Sequence, residues 1–523
     1  MYPVSDAFKT AVYAPSRSVK ARVTFDVSDI TAKPDVSSIT TTNQATGISN
    51  KDQLINGVRS QKYNLATYEP GRFKLDGSFS FPDDVPANNL EMGFVSDNSC
   101  DSASDFAVYP VIIFVFGSAH STIGATVTFD VLNDDEYATE FSIAAYDGTD
   151  TEIDSIEVTG NTDPRYLWET PLNGFEKVTI TIKKWSVGSR RARVAEVDFG
   201  IVKTYTDDNL IKCSLVEELD LTTGQLPSAE FKFTVDNSAR EFNILNPDGF
   251  YAYLQERQPV KAEMAVDMGG WYQYIPIGDY LLLDWTSDEG SLTASFTART
   301  NLDIMANYDY ENLVAETGYS LHDMAVAVFA VCGITNYSID AALESILTNA
   351  LVKKTSCRNV LQMIALAGGA NIYVTRDNLI TIKVSPGSLG TETDTVDLDN
   401  MYEEPKIELD KIVKSVAVTY WTDLSTSAIV SVANAGITDG DILKLETNTL
   451  INSSARATAV ANWLLAQKAY RNIYTMNWRG NPAHELADVI AIGNSYGADK
   501  SAIITKNSLE YQGYLTAKTE ARG

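Results

Sequence analysis

Short runs in which apolar and polar residues alternate are the feature that most constrains the fold of this 523-residue chain. They recur at Ser18–Val27, at Phe231–Asn237 and within Asn371–Val384. Successive side chains of a strand point to opposite faces of a sheet, so such alternation predicts strands with one buried face. The pair Gly269-Gly270 separates two further runs and is a strong signal for a β-hairpin. The pattern therefore predicts a mainly β protein.

Four stretches have helical periodicity instead: Ser5–Tyr13, Leu321–Val331, Ser356–Gly368 and Ser453–Ala469. The second is apolar throughout, which predicts a buried helix. Thr355 or Ser356 can cap the start of the third, and Gly368-Gly369 can end it. Because a hairpin over Asn371–Val384 follows directly, this part of the chain is predicted to be an α/β module.

The order of these elements predicts a multidomain protein, since a chain of this length is expected to form about three or four domains. Turn residues separate the strands at the short spacing that is typical of sandwiches and barrels. The predicted segments are an N-terminal strand and ribbon (1–85), a separate β-sandwich (86–205), a second β region (206–300), the α/β module (301–400) and a third β region (401–523).

The net charge of −28 restricts the possible partners. A sequence-independent nucleic-acid binder needs lysines and arginines to neutralise phosphates, and an anionic membrane attracts polybasic clusters. We therefore expect neither a nucleic-acid-binding protein nor a membrane-bound one, and no apolar run approaches the ~20 residues of a membrane helix. Solubility is the simplest explanation of the acidity. The alternative is an electronegative channel through which DNA slides without binding.

Catalytic and metal-binding motifs are missing from the sequence. The three histidines lie far apart, at His120, His322 and His484, and the four cysteines include no C-x-x-C pair. We expect His322 to cap or pack at a helix start and the other two histidines to lie in loops. No nucleophile elbow, zinc-protease or phosphate-loop motif occurs. The prediction is a protein without catalytic residues, metal or cofactor, and the N-terminus shows no secretory signal.

Acidic pairs keep two weaker hypotheses open. They are Asp83-Asp84, Asp134-Asp135, Asp207-Asp208 and Glu403-Glu404. A glycosidase needs two carboxylates that face each other, and calcium-binding loops also use acidic residues, but the spaced calcium motif is absent. Turns and solvated surface explain these pairs more simply.

Aromatic residues of the predicted sandwich are the candidate ligand contacts. Trp168, Tyr166, Tyr146 and Trp185 can each stack on a sugar ring, although a sandwich core also needs large side chains and Trp185 fits that role. Trp168 is the best candidate, because its surroundings resemble a loop. The nearby basic cluster of Arg190, Arg191 and Arg193 is interpreted as a salt-bridged strand edge, with a docking patch as the alternative.

Several stretches together resemble the hub proteins of phage tails and phage tail-like particles. The most specific is ELDLTTGQLPSAEFKFTVDNSAREFNILNPDGFYAYLQERQPVKAEM (Glu218–Met264), which continues into WYQYIPIGDYLLLDW (Trp271–Trp285). The opening YPVS with its following KARV strand, TSCRNVLQMIALAGGANIYVTRDNLITIKV (Thr355–Val384) and SLEYQGYLTAKTEARG (Ser508–Gly523) fit the same pattern. Residues 86–205 are instead similar to galactose-binding or carbohydrate-module jelly rolls, through Gly124–Asp147 and Arg190–Gly200.

The resemblance implies a homotrimeric structural protein of a virion tail tip or baseplate. It implies two hub β-barrel domains, supplied by 206–300 and 401–523, and partners that include the tail tube or distal tail ring, a central spike or fibre and the tape-measure protein. Such a protein is assembled in the host cytoplasm and released by lysis. The alternatives are an adhesin that binds host-wall carbohydrate through 86–205 and, more weakly, a cell-wall hydrolase.

Overall fold

The computed structural model describes residues 1–81, 92–132, 136–246, 249–385, 388–497 and 499–523. The chain divides into two compact units. The larger unit comprises Met1–Thr24, Tyr205–Ser238 and Pro259–Gly523, and the smaller unit comprises Phe25–Thr204 and Ala239–Gln258. The predicted boundary at residue 86 and the acidic pairs Asp83-Asp84 and Asp134-Asp135 lie outside the described residues.

The first strands in chain order are β1 (Val19–Ser28), β2 (Val36–Thr41), β3 (Phe94–Ser99), β4 (Val111–Thr122), β5 (Ala125–Thr128), β6 (Ala138–Tyr146), β7 (Glu152–Thr159), β8 (Arg165–Trp168), β9 (Leu172–Trp185), β10 (Arg191–Val194), β11 (Glu196–Asp198) and β12 (Gly200–Tyr205). There follow β13 (Leu210–Glu218), β14 (Glu230–Asp236), β15 (Pro259–Asp267), β16 (Tyr272–Asp288), β17 (Thr293–Arg299), β18 (Asp309–Asn312), β19 (Tyr319–Ser320), β20 (Tyr337–Ile339), β21 (Leu347–Thr348) and β22 (Val352–Ser356). The last are β23 (Ala370–Val374), β24 (Ile380–Val384), β25 (Asp394–Val396), β26 (Lys406–Leu409), β27 (Val413–Trp421), β28 (Ser427–Ala433), β29 (Asp441–Leu445), β30 (Asn472–Trp478), β31 (Val489–Ile492), β32 (Lys500–Tyr511) and β33 (Leu515–Arg522).

The α-helices are α1 (Asp6–Tyr13), α2 (Asn301–Ile304), α3 (Leu321–Val331), α4 (Cys357–Gly368) and α5 (Ser454–Gln467). Short 3-10 turns occur at Lys33–Asp35, Lys51–Ile55, Tyr251–Tyr253, Met305–Asn307, Ala341–Ser345 and Leu398–Asn400. The four predicted helices are thus confirmed to within two residues at each end. Ser356 caps α4 by accepting a hydrogen bond from the Asn359 amide, and Gly369 ends it at φ 68°, a left-handed conformation that favours glycine.

One large sheet dominates the larger unit. From β1 the strand order continues β15-β16-β17-β14-β13-β32-β33-β30-β26. The hairpin between β15 and β16 turns at Gly269-Gly270 as predicted, and Asp267 accepts hydrogen bonds from both glycine amides at 2.9 Å. β13 pairs antiparallel with β32, so Cys213 lies opposite Tyr511. Strands from the predicted regions 206–300 and 401–523 therefore form a single sheet.

Closed barrels are the part of the fold prediction that the structure does not reproduce. Among the described residues, β26 pairs only with β30, so the strand order is open at this end. The mainly β fold class with an α/β module is confirmed. The chain forms two compact units. Its division into the five predicted segments stays a prediction.

The α/β module of the larger unit has its own hydrophobic core. Helices α3, α4 and α5 pack with the hairpin β23–β24 and with β27, and the core residues include Val328, Ile364, Ile382, Val416 and Val460. The predicted hairpin over Asn371–Val384 is confirmed by this pairing.

The smaller unit is built from a five-stranded sheet, β2-β4-β9-β6-β7, with the shorter sheets β11-β5-β8 and β10-β3. Its core contains a cluster of aromatic rings, among them Phe114, Phe129 and Phe199. β2 lies in the predicted N-terminal ribbon, yet it pairs with β4, and Ile39 and Leu54 belong to the same core. The sandwich therefore uses residues well before the predicted start at 86.

No helix among the described residues is long and apolar enough to cross a membrane. The four cysteines are free thiols, and three of them are buried.

Candidate functional site

Two of the four predicted sugar contacts are buried tryptophans. Trp168 is 3% exposed and Trp185 is 1% exposed, and both belong to the core of the smaller unit. Trp168 is also the last residue of β8 rather than part of a loop. A sugar ring stacks on an exposed aromatic face, so both side chains are core residues. The indole of Trp185 donates a hydrogen bond to Glu136 Oε2 at 3.1 Å.

Tyr166 and Tyr146 are half-buried and remain candidates. The Tyr166 ring meets Phe141 edge to face with centroids 5.0 Å apart, and burial raises the pKa of its phenol. The Lys177 ammonium lies 4.2 Å from the centroid of the Tyr146 ring. Each ring therefore already contacts a protein group, and sugar binding by these residues stays a prediction.

The predicted arginine cluster forms a buried ion-pair network, which confirms the salt-bridged interpretation. Arg190 Nε lies 2.9 Å from Glu136 Oε1, and Arg193 pairs with Glu69. Four carboxylates balance four guanidinium groups in this network: Glu69, Asp97, Asp130 and Glu136 with Arg72, Arg190, Arg191 and Arg193. Although burial opposes ionisation of Glu69, its bonds to Arg193 outweigh this effect and lower its pKa to about 2.

A second buried network of the smaller unit is not balanced. In the described part of the chain, Asp26, Glu196 and Asp198 share only two cations, Lys33 and Arg59. Arg59 Nε donates to Asp198 Oδ2 at 2.8 Å, and the Gly57 amide donates to Glu196 Oε1 at 2.8 Å. Glu196 Oε2 has no hydrogen-bond partner among the described residues, so no donor stabilises a negative charge on that oxygen.

The pKa values follow from this charge imbalance. Burial of the Glu196 carboxyl and repulsion from Asp198 both favour its neutral form. Together they outweigh the attraction of Lys33 and raise the pKa of Glu196 to about 8. Asp198 is also buried, but Arg59 and Lys33 outweigh that effect and hold its pKa below the ordinary value. The network is therefore expected to retain one proton near neutral pH.

The histidines occupy unrelated positions. His120 lies in β4, not in a loop as predicted, and its two ring nitrogens are each 2.9 Å from a carboxylate, of Asp29 and of Asp35. His484 lies outside the strands as predicted, and its Nε2 is 2.7 Å from Asp394 Oδ2. His322 lies in the first turn of α3, as predicted, but Ser320 rather than His322 caps this helix. None of these contacts includes a nucleophile, and no cluster of three or more metal-ligating side chains occurs in the described part of the chain.

An exposed edge strand is the feature of the larger unit that best fits assembly. β26 is the last strand of the large sheet, and Ile407 and Leu409 on one face are 63% and 65% exposed. Lys406 and Glu408 form an ion pair on the other face. An edge strand with free backbone groups and exposed apolar side chains is a template for pairing with another chain.

No family model and no curated protein matches the chain. A tail protein from Neisseria meningitidis MC58 is 12% identical, with 61% of this chain and 94% of that chain covered and a TM-score of 0.43. The 43 kDa tail protein of prophage MuSo2 from Shewanella oneidensis is 11% identical, with 61% and 95% covered and a TM-score of 0.42.

A chain of the virion of a native gene transfer agent particle is 12% identical, with 80% of each chain covered and a TM-score of 0.30. All three of these structures are named as tail or virion components.

Sequence patterns predict neither the partners of the buried charges nor the exposure of strand β26. The partners of the buried charges are distant along the chain: Glu69 pairs with Arg193 and Lys33 with Asp198. No local signal connects such residues. The exposed strand β26 does show an alternating pattern, KIEL, but exposure on both faces is a property of the folded sheet.

Proposed function

We propose that this protein is a structural hub of a phage-type tail tip or baseplate. It joins the tail tube or distal tail ring to a central spike or fibre, and it lets DNA or the tape-measure protein pass. The protein works as a homotrimer in the virion tail and catalyses no reaction.

One observation carries the proposal. The segments with the hub-like sequence pattern are distant along the chain, yet their strands belong to one sheet: β1, β14, β15 and β16, and β32 with β33. A pattern shared by scattered segments is explained when those segments build the same structural layer. The α/β hairpin module at Thr355–Val384, which also carries the pattern, folds as one hydrophobic core.

We assign the trimer interface to β26, which contacts a second copy of this chain. Replacing both Ile407 and Leu409 by Asp places charge on the exposed edge and is expected to lower the molar mass measured by light scattering. Ile244→Asp with Leu245→Asp is the matched control, because these residues are 64% and 81% exposed but lie in the smaller unit. An unchanged mass would remove β26 from the interface.

Electron microscopy of assembled tails tests the hub itself. We expect three copies at the junction between tube and spike. A monomer or a hexamer at that position, or a location away from the tail tip, contradicts the proposal. Purified protein is also expected to release no fragments from peptidoglycan, and release abolished by one Asp or Glu substitution would contradict the structural role.

The acidic composition supports an electronegative channel in the trimer. Three chains carry a formal charge of −28 each, and a wall that repels phosphate lets DNA pass without binding. The potential of the channel in a trimer structure decides between this view and simple solubility. A neutral or positive wall would leave solubility as the explanation.

A further inference from the structure

A groove of about 640 Å³ lies in the α/β part of the larger unit. Two strands, β22 and β29, contribute its walls through Val352–Thr355 and Leu443–Leu445. The side of α4 that carries Gln362 and Met363 lines it between them. Its volume is within the range of pockets that bind small molecules.

The charge of this groove is opposite to that of the chain. Lys353, Lys354 and Lys444 line it, and no Asp or Glu is among its described lining residues. The whole chain has 69 acidic residues against 41 basic ones. Lys354 forms an ion pair with Asp309, with Nζ and Oδ2 3.0 Å apart. Lys353 and Lys444 are exposed, and neither takes part in an ion pair among the described residues.

Beside the lysines, the groove is lined by uncharged polar residues such as Asn359 and Asn448 and by apolar ones. Met363, Leu366, Trp421 and Leu464 contribute its floor, and the Trp421 indole is held by a hydrogen bond from Nε1 to the Glu446 carbonyl at 3.2 Å. A basic rim over an apolar floor complements a ligand in which carboxylates and apolar side chains alternate. A free inorganic anion would leave the floor without a partner.

Both walls are edge strands. In the described part of the chain β22 pairs only with β18, and β29 pairs only with β27. An extended peptide can add to such an edge through backbone hydrogen bonds, while its alternate side chains enter the pocket. This geometry favours a peptide over a nucleic acid or a polysaccharide.

We propose that the groove binds an extended acidic segment of a partner protein. Its carboxylates lie against Lys353, Lys354 and Lys444, and its apolar side chains pack on Met363 and Trp421. The assignment rests on the groove alone and does not require the hub role.

The test uses the full chain and a fluorescent twelve-residue peptide of alternating Glu and Val. We expect saturable binding, measured by anisotropy, that weakens as salt is added. Changing Lys353, Lys354 and Lys444 to Glu is expected to weaken binding by about tenfold or more, because like charges then face each other. The control changes Lys232, Lys261 and Lys518, which are exposed lysines elsewhere in the larger unit, to Glu and is expected to bind normally.

Three outcomes would overturn the proposal. One is equal binding of the peptide in which Lys replaces Glu. Another is equally strong binding of dextran sulfate or duplex DNA, which would indicate a general anion site. The third is loss of self-association in the groove variant, which would assign the groove to a second copy of this chain. Circular dichroism of both triple variants checks that they are folded.

Discussion

Arg376 and Glu217 form a bidentate ion pair, with Nη2–Oε1 and Nη1–Oε2 distances of 2.6 and 3.0 Å, between the β23–β24 hairpin and strand β13 of the large sheet. Both side chains are almost fully buried. Arg376 also donates to the carbonyls of Ile277 and His484, at 3.0 and 2.7 Å. One guanidinium group thus connects the hairpin of the α/β module to Glu217, Ile277 and His484, which lie elsewhere in the larger unit.

Replacing Arg376 by Met is expected to lower the free energy of unfolding by about 3–5 kcal/mol, because it leaves Glu217 buried without a counter-charge. Urea denaturation measures this change. The double variant with Glu217→Leu should lose less than the sum of the single losses, since it removes the uncompensated charge. Additive losses would mean that the pair has no energetic coupling.

Glu196→Gln is expected to stabilise the protein at alkaline pH. The raised pKa of about 8 means that the folded state holds a proton that the unfolded chain releases near pH 4.5. Stability from this group is therefore present at low pH and falls as pH rises from about 4.5 towards 8. A glutamine cannot ionise, so the variant's unfolding temperature at pH 8.5 should exceed that of the wild type by about 4 °C or more.

Glu136→Gln is the matched control, because Glu136 belongs to the balanced network of four carboxylates and four arginines. Removal of its charge leaves a buried guanidinium group in excess. We expect destabilisation at pH 6 and at pH 8.5 alike. A gain of stability at high pH in this variant as well would show that the effect of Glu196 is not specific.

His120 is expected to make stability depend on pH near neutrality. Burial lowers its pKa, but hydrogen bonds with Asp29 and Asp35 outweigh that effect and raise it above the ordinary value near 6.5. The stabilisation is thus complete below pH 6.5 and is lost as pH rises through the raised pKa. His120→Asn should reduce the dependence of the unfolding temperature on pH between pH 5.5 and 8. Equal curves for wild type and His120→Asn would contradict the charged pair.

Trp185→Ala is expected to lower the free energy of unfolding by about 3–5 kcal/mol. The substitution opens a cavity in the core of the smaller unit and leaves Glu136 without its indole donor. Trp168→Ala should be costly for the same reason. Tyr146→Ala, at a half-buried position, should change the free energy of unfolding by much less. Thermal or chemical unfolding measures all three. Small losses for both tryptophans would return them to the list of surface candidates for sugar binding.

Local periodicity predicted the secondary structure well where the signal lies within one element. The bounds of α3 agree with the prediction, and Ser356 and Gly369 act as caps of α4. Caps and helical faces involve residues within a few positions of each other, so sequence spacing is sufficient. His120 was assigned to a loop and lies in a strand, because β4 continues past Gly117 and Ser118, residues typical of turns.

The site was less predictable, because burial distinguishes an aromatic ligand contact from a core residue. Trp168 and Tyr166 are two residues apart in the same strand, yet Trp168 is buried while Tyr166 is half-buried. Composition also predicted an acidic protein without indicating that its three groove lysines converge.

The sequence alone determined the mainly β class, the helices, the hairpins and the overall negative charge, since each depends on composition or on short-range spacing. Tertiary structure decided which strands pair and which charges meet. Glu217 and Arg376 are 159 positions apart, and β13 pairs with β32 across nearly 300 residues. Such contacts depend on the packing of the whole chain, where burial makes an unpaired charge costly, and no local pattern encodes them.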